Sequence, residues 1–293
     1  MREISLVAFD LDGTLLDSNK RIPASAKSAV TRLREAGVFI TVVTGRGYHS
    51  ARQYIEELRL QIPFGLYHGA LVRDTLGIEV LKRAIPKVGV REAVDLASSL
   101  DCVPMVIPLE TETGLIFRRE DEGHPIVRFV IESERSEVSA GGQNISFIPH
   151  AELRADAFLV YVMGLKERIR KFLDTVRGLP VPLYQAELFP VYAPRASAEL
   201  RETHAVAMLS PIGADKRTAL TAITDSLGVP LENVMAFGDW HNDIPMLEAS
   251  GTAVLMGNAP PAVAQRLRHP NLYRTGANDG AGIADALARF GLI

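Results

Sequence analysis

Residues 4–14 read Ile4-Ser-Leu-Val-Ala-Phe9-Asp10-Leu-Asp12-Gly-Thr14. The first six form an apolar run of strand length, which is typical of a strand buried on both faces. Asp10 and Asp12 follow directly, and residues two apart at the end of a strand project to the same side. Two adjacent carboxylates repel each other, and a hard cation with oxygen ligands, such as Mg2+, relieves that repulsion. The stretch therefore predicts a buried strand that delivers a functional pair of carboxylates, the alternative being a solvated acidic turn.

Strand and helix patterns alternate after this stretch. Apolar side chains at helical spacing over 23–36 stop at Gly37, and a second apolar strand pattern covers 38–43. The same alternation resumes near the C-terminus, with a strand at 205–209 and a helix over 216–227. This order predicts a parallel sheet joined by right-handed crossovers.

The middle of the chain has a different, α+β pattern. Strand patterns cluster at 102–109, 115–118, 158–163 and 181–188, a Gly-Gly turn is expected at 141–142, and helix patterns cover 90–100 and 165–177. We therefore predict an α/β domain built from residues 1–84 and 205–293, with a second module, residues 85–204, inserted between its halves.

Composition restricts the class of protein. The 293 residues carry a net charge of −3, so no global basic field favours nucleic acid or an anionic membrane. The single cysteine, Cys102, excludes an internal disulfide and fits a reducing compartment. No uncharged apolar stretch reaches the roughly 18 residues of a membrane-spanning helix, and the N-terminus lacks the features of a signal peptide. A cytoplasmic protein without nucleic-acid or membrane partners is expected.

Two further segments carry groups that bind phosphate. Thr44-Gly45-Arg46 follows the second strand, where a hydroxyl and free backbone N–H groups can hold a phosphate, although Thr-Gly is also a common turn. Lys216 begins a helix and offers a compact positive charge, although a lysine there is often merely solvated. Asp215 before it is expected to be the N-cap, and Arg46 is interpreted as a surface or supporting residue.

The last segment is Gly238-Asp239-Trp-His-Asn242-Asp243, after a buried strand at 233–237. Asp239 and Asp243 are four residues apart at a helix start, so both carboxylates share one face of the first turn. Capping of the helix and binding of a metal are both compatible with this spacing. All four segments follow strands or begin helices at the edge where open parallel sheets bind ligands.

Together, these segments resemble the motifs of the haloacid dehalogenase (HAD) superfamily, most closely its Cof-type, sugar-phosphatase-like branch. Asp10 and Asp12 match the first motif, Thr44 the second and Lys216 the third, and the segment from Gly238 to Asp243 matches the fourth. The resemblance covers essentially the whole chain. It implies a Rossmann-like α/β core with a parallel sheet, and the inserted module resembles the C2-type α+β cap of that branch.

The resemblance also implies a phosphatase that acts on a small phosphorylated metabolite. Asp10 would be the nucleophile that forms an aspartyl-phosphate, and Asp12 the general acid and base. Mg2+ would be held by Asp10, the main-chain carbonyl of Asp12 and Asp239, with Asp243 either as a further ligand or as a residue that supports the ligands. Thr44, Gly45 and Lys216 would bind the phosphoryl group, and Asn242 would orient Lys216 or the phosphate.

Two departures and two alternatives accompany this interpretation. The family commonly has Asn-Gly where this chain has His68-Gly69, and the third motif often reads Ser-Lys-Gly where this chain has Asp215-Lys216-Arg217. The same nucleophile and acid would also serve a phosphomutase similar to phosphomannomutases, and a non-catalytic metabolite sensor is a further alternative. Residues Arg118, Arg119, Arg128 and His124 of the inserted module are candidates to meet a second anionic group or to be solvated. The chain could be a monomer or a homodimer.

Overall fold

The computed structural model of the protein describes residues 3–109, 114–137, 144–153, 155–190 and 197–293. The chain divides into two compact units. Unit 1 comprises Met1–Arg46, Ala51–Lys82 and Ala214–Ile293, and unit 2 comprises Gly47–Ser50 and Arg83–Gly213.

The strands are β1 (Leu6–Phe9), β2 (Phe39–Val42), β3 (Phe64–Leu66), β4 (Leu71–Arg73), β5 (Glu79–Lys82), β6 (Val103–Pro108), β7 (Gly114–Arg118), β8 (Asn144–Ile148), β9 (Ala157–Leu165), β10 (Gln185–Pro190), β11 (His204–Ser210), β12 (Val234–Gly238), β13 (Thr252–Leu255) and β14 (Leu272–Arg274). The α-helices are α1 (Ala24–Glu35), α2 (Tyr48–Glu57), α3 (Lys87–Ser99), α4 (Pro125–Glu137), α5 (Lys166–Arg177), α6 (Ala198–Thr203), α7 (Lys216–Leu227), α8 (Ile244–Ala249), α9 (Pro261–Arg266) and α10 (Gly282–Arg289). None of the helices in the described ranges is long and apolar enough to cross a membrane.

Unit 1 contains the predicted parallel sheet, in the order β14-β13-β12-β1-β2. Every residue of β1 and β12 is buried, because both faces of these central strands are covered. Phe9 lies opposite Phe237 in the register, and their rings stack with centroids 4.9 Å apart. A small antiparallel sheet, β3-β4-β5, adjoins the end of β2 through a bridge between Val43 and Gly65. The predicted Rossmann-like core is confirmed.

Unit 2 contains a six-stranded sheet in the order β10-β11-β9-β6-β7-β8. Its strands pair antiparallel except for β7 and β8, which are parallel. A cluster of buried side chains from α3, α5 and the sheet, including Val94, Val160 and Phe172, forms a core of its own. The prediction of an inserted α+β module is confirmed.

The structure differs from the predicted boundary at residues 204 and 205. The apolar run predicted as a strand of the α/β domain is β11, and it pairs with β10 and β9 in the sheet of unit 2. The second boundary of unit 2 therefore lies after Gly213, nine residues beyond the predicted position. An apolar run is a strand pattern in either sheet, so the pattern alone does not identify its partner. The predicted Gly-Gly turn at 141–142 lies outside the described residues.

Both predicted ends of α7 are confirmed. Asp215 Oδ1 accepts a hydrogen bond of 2.7 Å from the Thr218 N–H, which satisfies one of the free donors at the helix start. Gly228 ends the helix in the left-handed conformation, with φ of 66°. These caps fix where the helix begins, and with it the position of Lys216.

Candidate active site

The strand ends of unit 1 bring the predicted residues to one edge of the sheet. Asp10 and Asp239 leave the adjacent strands β1 and β12, whose register pairs Phe9 with Phe237. Their side chains are buried, with exposed fractions of 5% and 7%. Asp243, with 0% exposure, follows one turn later. Sequence neighbours at parallel strand ends thus become neighbours in space.

Asp10, Asp239 and Asp243 form a cluster in which one carboxylate oxygen from each lies within 4.8 Å of the others. Burial raises the pKa of Asp10 well above its usual value against the opposing charge of Lys216, and Asp243 and Asp239 add to that rise. Burial, followed by the charge of Asp243, raises the pKa of Asp239 to about 7. Buried oxygen ligands with an excess of negative charge are the set that suits Mg2+. Within the described residues, the carboxylate of Asp12 does not belong to this cluster.

Lys216 connects two members of the cluster. Its Nζ lies 2.5 Å from Asp10 Oδ1 and 2.5 Å from Asp243 Oδ1, and its side chain is 1% exposed. Burial by itself would lower the pKa of Lys216, but the two carboxylates outweigh it and raise that pKa above its ordinary value. Lys216 is therefore a permanent positive charge beside Asp10.

Asp243 has a second function in the local backbone. Its Oδ2 accepts hydrogen bonds from the backbone N–H groups of Asp239, at 2.9 Å, and Trp240, at 2.8 Å. Gly238 is required here, because a Cβ at that position would lie 2.5 Å from Cβ of Asp243. The carboxylate thus orders its own turn with one oxygen and contacts Lys216 with the other.

Asp12 is held by two cations. Arg46 donates from Nε to Oδ2 at 2.6 Å and from Nη2 to Oδ1 at 2.7 Å, and Lys20 Nζ lies 2.6 Å from Oδ1. Burial would raise the pKa of Asp12, but the hydrogen bonds and charges of Arg46 and Lys20 hold it well below its usual range. Of the two interpretations of Arg46, a surface residue or a supporting residue, the structure favours the second, because its side chain is 10% exposed and directly contacts the carboxylate of Asp12.

A network through Tyr54 fixes both cations. The Tyr54 hydroxyl donates to the main-chain carbonyl of Lys20 at 2.9 Å, and the Arg46 guanidinium lies 5.4 Å from the centre of the Tyr54 ring. No sequence pattern predicts that Lys20 contacts Asp12, which is 8 positions away. Nor does one predict that Tyr54 contacts Lys20 and Arg46.

The Thr44–Gly45 turn is ordered by the backbone of the next loop. Thr44 is buried, and its Oγ1 accepts from the Arg46 N–H at 3.1 Å, while its carbonyl accepts from the His68 N–H at 3.1 Å. The His68 ring covers Gly45, where an added Cβ would lie 2.5 Å from Cε1 of His68. Asn242 contacts the same ring, with Nδ2 3.2 Å from Nδ1 of His68.

Two residues that sequence reasoning missed support Asp239. Thr14 Oγ1 donates to Asp239 Oδ1 at 3.1 Å, and Asn258 Nδ2 donates to Oδ2 at 3.2 Å and to the Gly13 carbonyl at 2.8 Å. Thr14 belongs to the first motif, so its location was available from the sequence. Asn258 follows β13, and its position after a parallel strand was the only local signal.

Comparisons with known proteins identify the family of the chain. Residues 7–287 match the family of haloacid dehalogenase-like hydrolases. The 5-amino-6-(5-phospho-D-ribitylamino)uracil phosphatase YitU of Bacillus subtilis is 28% identical over 291 residues, 97% of either chain. The pyridoxal phosphate phosphatase YbhA of Escherichia coli is 30% identical over 263 residues, covering 89% of this chain and 90% of the relative. The solved structure of BT1666 from Bacteroides thetaiotaomicron, which belongs to the HAD superfamily phosphatases, has a TM-score of 0.77 at 24% identity and covers 99% of this chain and 96% of its own.

Proposed function

Because the chain belongs to the haloacid dehalogenase-like hydrolase family, in which its relatives are phosphatases, we propose that it is a magnesium-dependent phosphatase that hydrolyses a small phosphorylated metabolite through an aspartyl-phosphate. The observation that carries the proposal is the buried pairing of Asp10 with Lys216, beside Asp239 and Asp243. A buried carboxylate paired with a permanent cation is suited to attack an anionic phosphoryl group, because the cation offsets the repulsion between the two.

In the first half of the reaction, a carboxylate oxygen of Asp10 forms a bond to phosphorus while the bond from phosphorus to the leaving alcohol breaks. The alcohol oxygen takes a proton from Asp12. In the second half, Asp12 accepts a proton from water, the water oxygen attacks phosphorus, and the bond to Asp10 breaks to release inorganic phosphate. Both carboxylates end as they began, so the cycle balances.

Arg46 and Lys20 favour the anionic form of Asp12, which is the form that activates water. Protonation of Asp12 for the first half of the reaction requires these ion pairs to loosen. A phosphate ester carries negative charge of its own, so its arrival would compete with Asp12 for the two cations. Arg46 and Lys20 would therefore couple the protonation of Asp12 to occupation of the site.

Thr44, Gly45, Lys216 and Asn242 are the groups proposed to bind the phosphoryl oxygens. Thr44 and Gly45 are in a turn whose backbone is held by the His68 segment, and Lys216 is fixed between two carboxylates. Asp10, Asp239 and Asp243, with the main-chain carbonyl of Asp12, would hold Mg2+. The ion, when bound, would neutralise charge on the phosphoryl oxygens.

The substrate class is proposed from the relatives. YitU and YbhA act on phosphorylated small molecules, a ribitylamino-uracil phosphate and pyridoxal phosphate. Both matches span 89% or more of this chain, so we propose a substrate of the same class, a phosphorylated small molecule.

The test is phosphate release from a panel of about one hundred phosphorylated metabolites, including the two above and hexose phosphates without a bisphosphate activator. We expect release that requires Mg2+ and is abolished by Asp10→Asn, whereas Asp225→Asn on the exposed face of α7 retains it. A folded protein that releases no phosphate from any member of the panel would overturn the proposal. In a parallel assay with a bisphosphate activator, interconversion of hexose phosphates without phosphate release would indicate a phosphomutase instead.

A further inference from the structure

His68 has a backbone conformation that side chains rarely adopt. Its φ and ψ are 55° and 24°, and the preceding Tyr67 also has a positive φ, of 50°. Two consecutive left-handed residues other than glycine are unusual, and such strain is maintained only where the surroundings impose it. The His68 N–H donates to the Thr44 carbonyl and the Tyr67 N–H to the Arg46 carbonyl, at 3.1 and 3.0 Å. Two backbone hydrogen bonds therefore join the strained turn to the Thr44–Arg46 segment.

The imidazole contacts two of the groups proposed to bind the phosphoryl group. Asn242 Nδ2 lies 3.2 Å from His68 Nδ1. An amide NH2 is a donor only, so Nδ1 is the acceptor and the ring proton is on Nε2. The ring also lies against Gly45, where an added Cβ would come within 2.6 Å of Nε2.

The electrostatic surroundings keep this ring neutral. Burial, and next the positive charge of Lys216, lower the pKa of His68 to about 3. A protonated Nδ1 could not accept from Asn242, so the hydrogen bond and the charge environment select the same tautomer. A neutral ring can accept the hydrogen bond from Asn242 without adding a second positive charge beside Lys216.

We propose that His68 is a positioning residue of the phosphoryl-binding site, which orients the Asn242 amide through Nδ1. The inference rests on the proposed function, because it assigns a role within that same site. His68 acts through Asn242 and need not contact the reacting atoms.

The test compares His68→Ala, His68→Asn, Asn242→Ala and the double variant His68→Ala/Asn242→Ala. His68→Ala removes the acceptor and the ring, and we expect kcat/KM to fall and the inhibition constant for inorganic phosphate to rise, each about tenfold. Asparagine tolerates the left-handed conformation and places an oxygen where Nδ1 was, so His68→Asn should recover to within about threefold of the wild type. If His68 acts through Asn242, introducing His68→Ala into the Asn242→Ala variant should reduce kcat/KM by no more than a further factor of about two.

Phosphate binding measured by calorimetry separates the possible failures. Binding and turnover by the wild type together with unchanged values for His68→Ala would overturn the role of His68 and leave the proposed function intact. Additive losses in the double variant would overturn positioning through Asn242. A wild-type protein that neither binds inorganic phosphate nor releases it from any ester would overturn both. Thermal unfolding of each variant shows whether the native fold is retained.

Discussion

Asp12 is a candidate catalytic residue whose two carboxylate oxygens are both bound by cationic side chains. Both of its oxygens are bound by the Arg46 guanidinium, and Lys20 adds a third contact. A planar guanidinium can hold two carboxylate oxygens at once, whereas an ammonium group provides a single point of charge. Arg46 therefore fixes the orientation of Asp12 as well as its charge.

Replacement of Arg46 by lysine keeps the charge and removes this bidentate contact. We expect Arg46→Lys to lower kcat about tenfold, because a misoriented Asp12 transfers protons less efficiently. Arg52→Lys is the matched control, since Arg52 is exposed on α2 and contacts Glu56 one turn away. Steady-state kinetics on any accepted ester measure the difference, and equal kcat values for the two variants would contradict it.

The neutral state of His68 has a consequence for stability. The pKa of His68 is about 3 in the folded protein and near 6.5 in an unfolded chain, so the unfolded state binds more protons between these values. This difference in proton binding leaves the free energy of unfolding unchanged above about pH 6.5 and lowers it as the pH falls from 6.5 toward 3.

The variant His68→Asn lacks this titration. Between pH 7 and pH 5 we expect the wild type to lose about 1–2 kcal/mol more of its free energy of unfolding than the variant loses. Urea denaturation at the two pH values measures both losses, and the comparison cancels the titration of groups common to both proteins. Parallel losses would show that His68 is protonated in the folded state.

At the scale of elements, α7 is the helix on which the site depends. Its N-cap, Asp215, packs against Gly69, where an added Cβ would lie 2.0 Å from the Asp215 carbonyl oxygen. Gly228 at the other end has nothing within 4 Å of such an atom. Both glycines have positive φ, of 97° and 66°, so the two positions differ mainly in available space.

This difference provides a matched pair of substitutions. Gly228→Ala should cost about 1 kcal/mol of stability, from the left-handed conformation alone, and leave kcat/KM unchanged. Gly69→Ala should cost at least twice as much and also lower kcat/KM, because the start of α7 and with it Lys216 must shift. Denaturation and kinetics of the two variants test this, and equal effects would show that space at Gly69 does not matter.

Elements that depend on residues close together in the chain were predicted from the sequence, whereas the sheet to which a strand belongs depends on distant residues and was not. The helix expected over 165–177 is α5, Lys166–Arg177, because its apolar spacing and the glycine after it are local signals. β11 was predicted as a strand but assigned to the other domain, because its partners β9 and β10 are determined by long-range pairing. β8 and β14 were not predicted, and their residues are largely partly or fully exposed, which weakens the apolar pattern.

At the scale of the whole molecule, each unit of the described chain has hydrophobic clusters of its own. Buried side chains such as Leu6, Ala236 and Leu247 form one within unit 1, and Val94, Val160 and Phe172 belong to another within unit 2. The single tryptophan, Trp240, is in unit 1, and the single cysteine, Cys102, is in unit 2. Each unit thus carries its own probe of unfolding.

Cys102 should react only when unit 2 opens. Its side chain is 1% exposed, so a reagent cannot reach the sulfur in the folded protein. Burial also raises the pKa of the thiol to about 11, so little of the reactive thiolate is present at pH 8. We expect alkylation by iodoacetamide to be slow in the native protein and to follow unfolding in urea. Mg2+ should raise the midpoint reported by Trp240 fluorescence and leave that of Cys102 alkylation unchanged, since the proposed ligands are all in unit 1. Rapid alkylation of the native protein, or equal shifts of both midpoints, would contradict this.

The sequence by itself determined the parallel core, the inserted module and the segments that carry Asp10, Thr44, Lys216 and Asp239. These features depend on residues close together in the chain, whose periodicity and spacing fix the strands, the caps and the order of the motifs. Only the tertiary structure decided that Arg46 and Lys20 bind Asp12 and that β11 joins the second sheet. It also decided that His68 meets Asn242, which is 174 positions away. Such contacts depend on how distant segments pair and pack, and no local pattern encodes a partner that only folding brings near.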